Sequence, residues 1–131
     1  KKQKEYLLSE IVFAIDNNEN LEEKVKLINK IINEKNFSEA ALNYSISDSA
    51  NNGGKLGWIK EEILSGKIKK EIEITQIGKF TKPIVIPGGF IILSVENRFL
   101  VYDESRKEII RQNSHLQIWS LLKWSSNLTK P

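Results

Sequence analysis

Hydrophobic and polar positions along this chain keep two rhythms, one of strands and one of helices. Leu8-Ser9-Glu10-Ile11-Val12-Phe13-Ala14-Ile15 is a short β-branched apolar run that stops at the turn-prone Asp16-Asn17-Asn18, which predicts a buried first strand. Asn20 then precedes Leu21, with Glu23 three residues beyond the asparagine, and Leu21, Val25, Ile28 and Ile32 recur at helical spacing. This capped amphipathic stretch predicts a helix through Lys35. Asn36 with Glu39 repeats the pattern and opens a short helix over Ala40, Ala41 and Leu42. Helical spacing resumes over 59–64 and at Ile68, Ile72 and Ile74, interrupted by Ser65-Gly66, which predicts two short helices. Pro83 permits a strand start or a sheet edge, and Pro87-Gly88-Gly89 makes a hairpin-like turn into a strand over 90–95. Ser105 and Glu108 form a further capping box, after which Ile109, Leu116, Trp119 and Leu122 line one face of a long helix expected over 103–128. The expected order is β-α-α-α-α-β-β and then that helix, an α+β fold.

Composition narrows the classes of function. At 131 residues the chain is about one domain, able to bury roughly two-thirds of its unfolded surface. Without cysteine there is neither a disulfide framework nor a thiolate metal site, and redox chemistry leaves the compartment open. No run approaches the roughly 18 apolar residues of a membrane span, and Lys1-Lys2-Gln3-Lys4-Glu5 lacks the apolar core of a signal peptide. A soluble chain, without membrane insertion, is expected; the missing initiator methionine suggests a processed product or a piece of something longer. The net charge of +3 comes from lysines interleaved with acids, as in Glu22-Glu23-Lys24, which argues against a nucleic-acid partner. His115, the sole histidine, has no companion ligands, so no metal, cofactor or Ser-His-Asp triad is expected.

The chemistry concentrates in Tyr44-Ser45-Ile46-Ser47-Asp48-Ser49-Ala50-Asn51-Asn52-Gly53-Gly54-Lys55-Leu56-Gly57-Trp58-Ile59, where small polar residues, a Gly-Gly bend and an apolar exit meet. It reads as the rim of a site, because glycine lets the backbone pass close to another group while Leu56, Trp58 and Ile59 supply apolar surface. A phosphate loop is excluded by the spacing and by Leu56, which stands where a hydroxyl residue would hold magnesium. Residues 45–57 resemble the serine-aspartate loop and Gly-Gly-x-Leu-Gly-Trp motif of the parvulin-type (PpiC, rotamase) peptidyl-prolyl isomerases. Residues 78–93 resemble that family's Gly-x-x-Ser-x-Pro-Val/Ile turn followed by Gly-Phe/Tyr-His-Ile-Ile. The resemblance covers about 9–97, leaving 1–8 as a linker or the end of a missing domain and 98–131 as a helical extension. One such unit trailed by an apolar-faced helix is similar to the SurA-type periplasmic chaperones of outer-membrane proteins.

The resemblance implies an antiparallel sheet surrounded by helices, and a proline ring held against Leu56, Leu64 and Ile68, with Glu10, Trp58, Phe90 and Ile91 completing the substrate site. Ser47 takes the place of the family's cysteine or aspartate, with Asp48 beside it, and these two are the candidate catalytic residues. Glu10 and Ile91 stand where the family commonly has histidine. Each position also has a plainer reading: Leu56, Leu64 and Ile68 as core, Ser47 and Asp48 as loop caps, Glu10 at an exposed strand end. The implied activity is peptidyl-prolyl isomerisation on unfolded or proline-containing polypeptides in the periplasm. Alternatives are a parvulin-fold holdase without turnover and a structural dimerisation domain, with the C-terminal helix packed on a missing domain or a second chain.

Overall fold

The computed structural model describes residues 3–101 and 109–111. Two long strands form its spine. β1 (Gln3–Phe13) pairs antiparallel with β5 (Gly89–Val101) along its whole length, from Gln3 opposite Val101 to Phe13 opposite Phe90. β2 (Lys55–Lys60) lies on the far edge of β1, antiparallel to it. The other edge of β5 is shared in turn by β4 (Ile84–Ile86), β3 (Lys79–Phe80) and β6 (Ile109–Arg111). With α1 (Leu21–Glu34), α2 (Phe37–Tyr44) and α3 (Gly66–Glu73), this is the α+β antiparallel architecture expected.

Alternation along the central strands divides the core into two faces, because successive side chains of a strand point to opposite sides. Tyr6 and Leu8 of β1 join Ile91, Leu93 and Val95 of β5, Ile84 of β4 and Ile72 of α3 in one buried cluster. Ile11, Phe13 and Ile92 join Ile28 of α1 and Ala40 and Ala41 of α2 in the other. A sheet covered on both faces explains why 11–15 and 90–93 read as nearly continuous apolar runs.

Both asparagine caps form as the sequence implies. Asn20 Oδ1 accepts from the Glu23 amide at 3.2 Å and Asn36 Oδ1 from the Glu39 amide at 2.7 Å. Ser65 does the same for α3, accepting from the Ile68 amide at 3.3 Å.

Two expectations are corrected, the helix over 59–64 and the helical placement of Ile109. The helix expected over 59–64 is instead the end of β2, a 3-10 turn at Glu61–Ile63 and an extended Leu64, since β2 ends at Lys60 and its apolar spacing merely continues into the turn. β1 begins at Gln3 and β5 runs on to Val101, so both central strands extend past the ends of the 9–97 span. Ile109, expected on a helix, lies in β6 opposite Val101. The rest of that expected helix, with Leu116, Trp119, Leu122 and Trp124, lies outside the described residues, as do the Ser105–Glu108 cap and His115. No described helix is long and apolar enough to cross a membrane.

Candidate functional site

The double glycine acts by letting a loop touch β1. Gly54 has φ of +80°, and a Cβ there would lie 2.2 Å from the carbonyl oxygen of Glu10, so only glycine allows this approach. The Glu10 amide donates to the Gly54 carbonyl at 2.7 Å, and the Gly54 amide donates to the Ser49 carbonyl at 2.8 Å. Further up the strand the Ile46 amide donates to the Val12 carbonyl at 2.7 Å, while the Val12 amide donates to Ser45 Oγ at 3.0 Å. The loop is thus strapped to β1 at both ends, and between the straps Ser47, at the N-terminal end of the 3-10 turn Asp48–Asn52, and Ser49 within it reach Glu10.

Ser47 Oγ donates to Glu10 Oε2 at 2.6 Å and Ser49 Oγ donates to the same oxygen at 2.8 Å. Two hydroxyls on one carboxylate oxygen make a charge-assisted cluster, shorter and stronger than neutral pairs. Glu10 Oε1 has no hydrogen-bond partner and Glu10 no ion pair among the described residues. Asp48 is exposed and takes no part in the cluster. Ser47 and Ser49, rather than Ser47 and Asp48, are therefore what the fold brings to Glu10; the signal for Ser49 is its spacing, since in a tight turn a residue two positions on can return to the same side.

Beside this cluster lies an apolar surface. On β1 Glu10 shares its face with Leu8 and Val12, and Val12 is opposite Ile91. Leu64, Ile68, Val12 and Ile86, all half-buried, pack against the cluster that contains Ile91 and Ile84. So Glu10, Leu64, Ile68 and Ile91 gather on one face of the sheet.

Phe90 and Trp58 lie on the other face of the sheet. Phe90 is adjacent to Ile91 in β5 and so points the other way, with its ring stacked on Phe13 at a centroid distance of 5.5 Å in the second cluster. Trp58 lies opposite Leu7 on the sheet face away from Tyr6, with its ring 4.3 Å from that of Phe99. Leu56 sits at the register shift between β2 and β1 and is more than a third exposed. Strand alternation thus sets Phe90 and Trp58 on the face opposite Ile91.

At the far end of the same face the Tyr6 hydroxyl donates to Glu61 Oε2 at 3.1 Å, and the Arg98 guanidinium lies 5.7 Å over the Tyr6 ring while Nη2 donates to the Thr75 carbonyl at 2.6 Å. Burial first, then the hydrogen bond from the hydroxyl to the Glu61 carboxylate, pushes the Tyr6 hydroxyl well above the usual phenol range. Thr81, also unanticipated, is buried and bridges β3 to β5: its Oγ1 accepts from the Leu93 amide at 3.1 Å. Among the described residues no three His, Cys, Asp or Glu side chains are grouped to hold a metal.

Comparison with known proteins places these features in a family. Residues 11–97 match the model described as rotamase, PPIC-type PPIASE domain. The chaperone SurA of Pseudomonas putida is 39% identical over 62 residues, which is 47% of this chain and 14% of the chaperone. The periplasmic chaperone PpiD of Haemophilus influenzae is 33% identical over 64 residues, 48% of this chain and 10% of that protein. The chain therefore spans only a small part of the length of these relatives. A crystal structure of a PpiC-type peptidyl-prolyl cis-trans isomerase domain superimposes with a TM-score of 0.61 at 26% identity, covering 72% of this chain and 91% of that one. The chain belongs to the PPIC-type PPIASE (rotamase) domain family.

Proposed function

We propose that this chain catalyses cis-trans isomerisation of Xaa-Pro bonds in unfolded polypeptides, as one domain of a larger periplasmic folding factor that escorts outer-membrane proteins. The observation that carries the reading is the Glu10–Ser47–Ser49 cluster seated beside Leu64, Ile68 and Ile91 on a single sheet face. Rotation about an Xaa-Pro bond faces a barrier of about 18–20 kcal/mol, set by amide resonance. No bond to carbon must break. A site lowers that barrier by seating the prolyl ring on apolar side chains and removing water from the amide carbonyl, which weakens resonance in the planar form relative to the twisted one. On this reading Leu64 and Ile68 receive the ring, and Ser47, held by Glu10, faces the polar side of the amide. Glu10 and Ile91 take the positions of the family's usual histidines, so turnover is expected to be weak.

A second reading is favoured by one feature: Ile91 is buried among aliphatic residues, so the wall facing the ring offers no polar group there. On that reading the same surface holds extended clients without rotating them. Exchange NMR on proline peptides separates the two. Cis-trans exchange faster than the uncatalysed rate, reduced by Ile68→Ala, supports the isomerase; suppression of aggregation of an unfolded outer-membrane protein with no exchange enhancement supports the holdase.

A further inference from the structure

We propose that Glu10 makes this site selective for proline segments in which the residue next to proline is lysine or arginine. The inference rests on the isomerase or holdase reading of the same face and adds the class of client. Glu10 is half-buried, and it lies on the apolar face two residues along β1 from Val12, about 7 Å from the position opposite Ile91. A client whose prolyl ring sits on Leu64 and Ile68 therefore brings its neighbouring side chain within reach of the carboxylate.

The charge on that carboxylate is unopposed. Both serines donate to Oε2, while Oε1 has no hydrogen-bond partner among the described residues. Lys55, one residue beyond the Gly54 that binds the Glu10 backbone, makes no ion pair with it. Asp48, exposed on the same loop, adds a second negative group. An acceptor with an idle oxygen and no counter-charge, next to an apolar seat, fits a cationic side chain with an aliphatic stem: the stem covers apolar surface and the head reaches Oε1. Glutamate next to proline meets repulsion instead.

The test uses the 131-residue chain and matched tetrapeptides carrying Lys, Arg, Ala or Glu before or after proline, with affinity and exchange rate both read by NMR. Lys and Arg peptides are expected to bind about two- to fivefold tighter than Ala peptides and Glu peptides more weakly, as for a half-exposed ion pair. The gap should narrow at 1 M salt, where screening acts within about 3 Å. Glu10→Gln keeps an oxygen for the two serines and should abolish the ranking. Equal affinities across the series, or a ranking that survives Glu10→Gln, overturns the proposal. Absence of enhanced exchange with every peptide overturns the isomerase reading instead, while the affinity ranking still decides the charge preference; no binding by any peptide overturns both.

Discussion

Gly54→Ala perturbs the approach of the loop to β1 at a single atom, and its consequences can be worked from two glycines in the same segment. Gly54 and Gly57 have nearly equal positive φ, +80° and +79°, so an alanine at either position carries the same left-handed penalty of roughly 1–2 kcal/mol. They differ in space. An alanine Cβ at 57 meets nothing within 4 Å, whereas one at 54 falls 2.2 Å from the Glu10 carbonyl oxygen and 3.0 Å from Ala41 Cβ. Neither neighbour is the end of a flexible side chain, so the loop must lift off β1. Lifting it breaks the hydrogen bond that the Glu10 N–H donates to the Gly54 carbonyl, at about 1 kcal/mol, and separates Ser47 and Ser49 from Glu10, at roughly 1–3 kcal/mol for hydrogen bonds to a charged group. Gly54→Ala should therefore destabilise the domain by about 2–4 kcal/mol more than Gly57→Ala. Urea melts of both variants measure the difference, and proline-peptide titrations of the folded variants show whether the groove follows the loop. Equal stability losses in the two variants would refute the claim that the double glycine exists for this contact.

Further consequences of the face assignment are as direct. Ile68→Ala removes half-buried aliphatic surface beside Ile91 and should cost about 2 kcal/mol in stability, the low end for such truncations, while weakening peptide binding in the folded protein; unchanged binding would remove Ile68 from the groove. Phe90→Ala, on the opposite face against Phe13, should cost roughly 3 kcal/mol yet leave peptide affinity of the folded fraction unchanged, and a specific loss of affinity would reverse the division into two faces. Tyr6 titrates later in the folded protein than in the unfolded chain, whose phenol ionises near pH ~10. The raised value means that its contribution is intact below that pH and is lost as pH climbs, with a slope of at most about 1.4 kcal/mol per pH unit. Chemical denaturation between pH ~10 and pH ~11.5 should accordingly fall more steeply for the native chain than for Tyr6→Phe; parallel curves would show that Glu61 and burial do not act on this hydroxyl.

What the sequence made legible follows from how local each signal is. α1 and α2 were legible because cap and apolar spacing lie within the same few residues, Asn20 with Glu23 and Asn36 with Glu39. β2 was hidden because Gly57 breaks its alternation and Trp58-Ile59-Lys60 runs straight into a 3-10 turn, so that strand and turn together imitate a helical rhythm. The first half of β1 was hidden because Lys4, Glu5 and Leu7 are only half-buried, and their pattern carries no apolar run. At the site, Glu10 and Ser47 were each visible, but the contact between them spans 37 positions and depends on how closely Gly54 can approach a carbonyl. Phe90 and Ile91 are a different case: neighbours within one strand cannot share a face, so the sequence already contained the argument against pairing them.

The hydroxyl protons decide what kind of catalysis the proposed site can offer. A carboxylate accepts hydrogen bonds and supplies none, so both Ser47 and Ser49 spend their single hydroxyl proton on Glu10 Oε2 and have only acceptor lone pairs left to offer. A twisted prolyl amide has a pyramidal nitrogen whose lone pair calls for a donor, and Ile91 has no group to provide one. If a donor at that point contributes the usual 1–3 kcal/mol, its absence costs about 5- to 150-fold in rate. What remains is burial of the ring and removal of water from the carbonyl, both of which act through Leu64, Ile68 and Ile91. Glu10→Ala would return the serine protons to the groove while removing the charge. On this reasoning it raises the exchange rate of Ala-Pro peptides relative to their affinity, and a rate that falls in step with affinity would show that Ser47 contributes nothing as a donor.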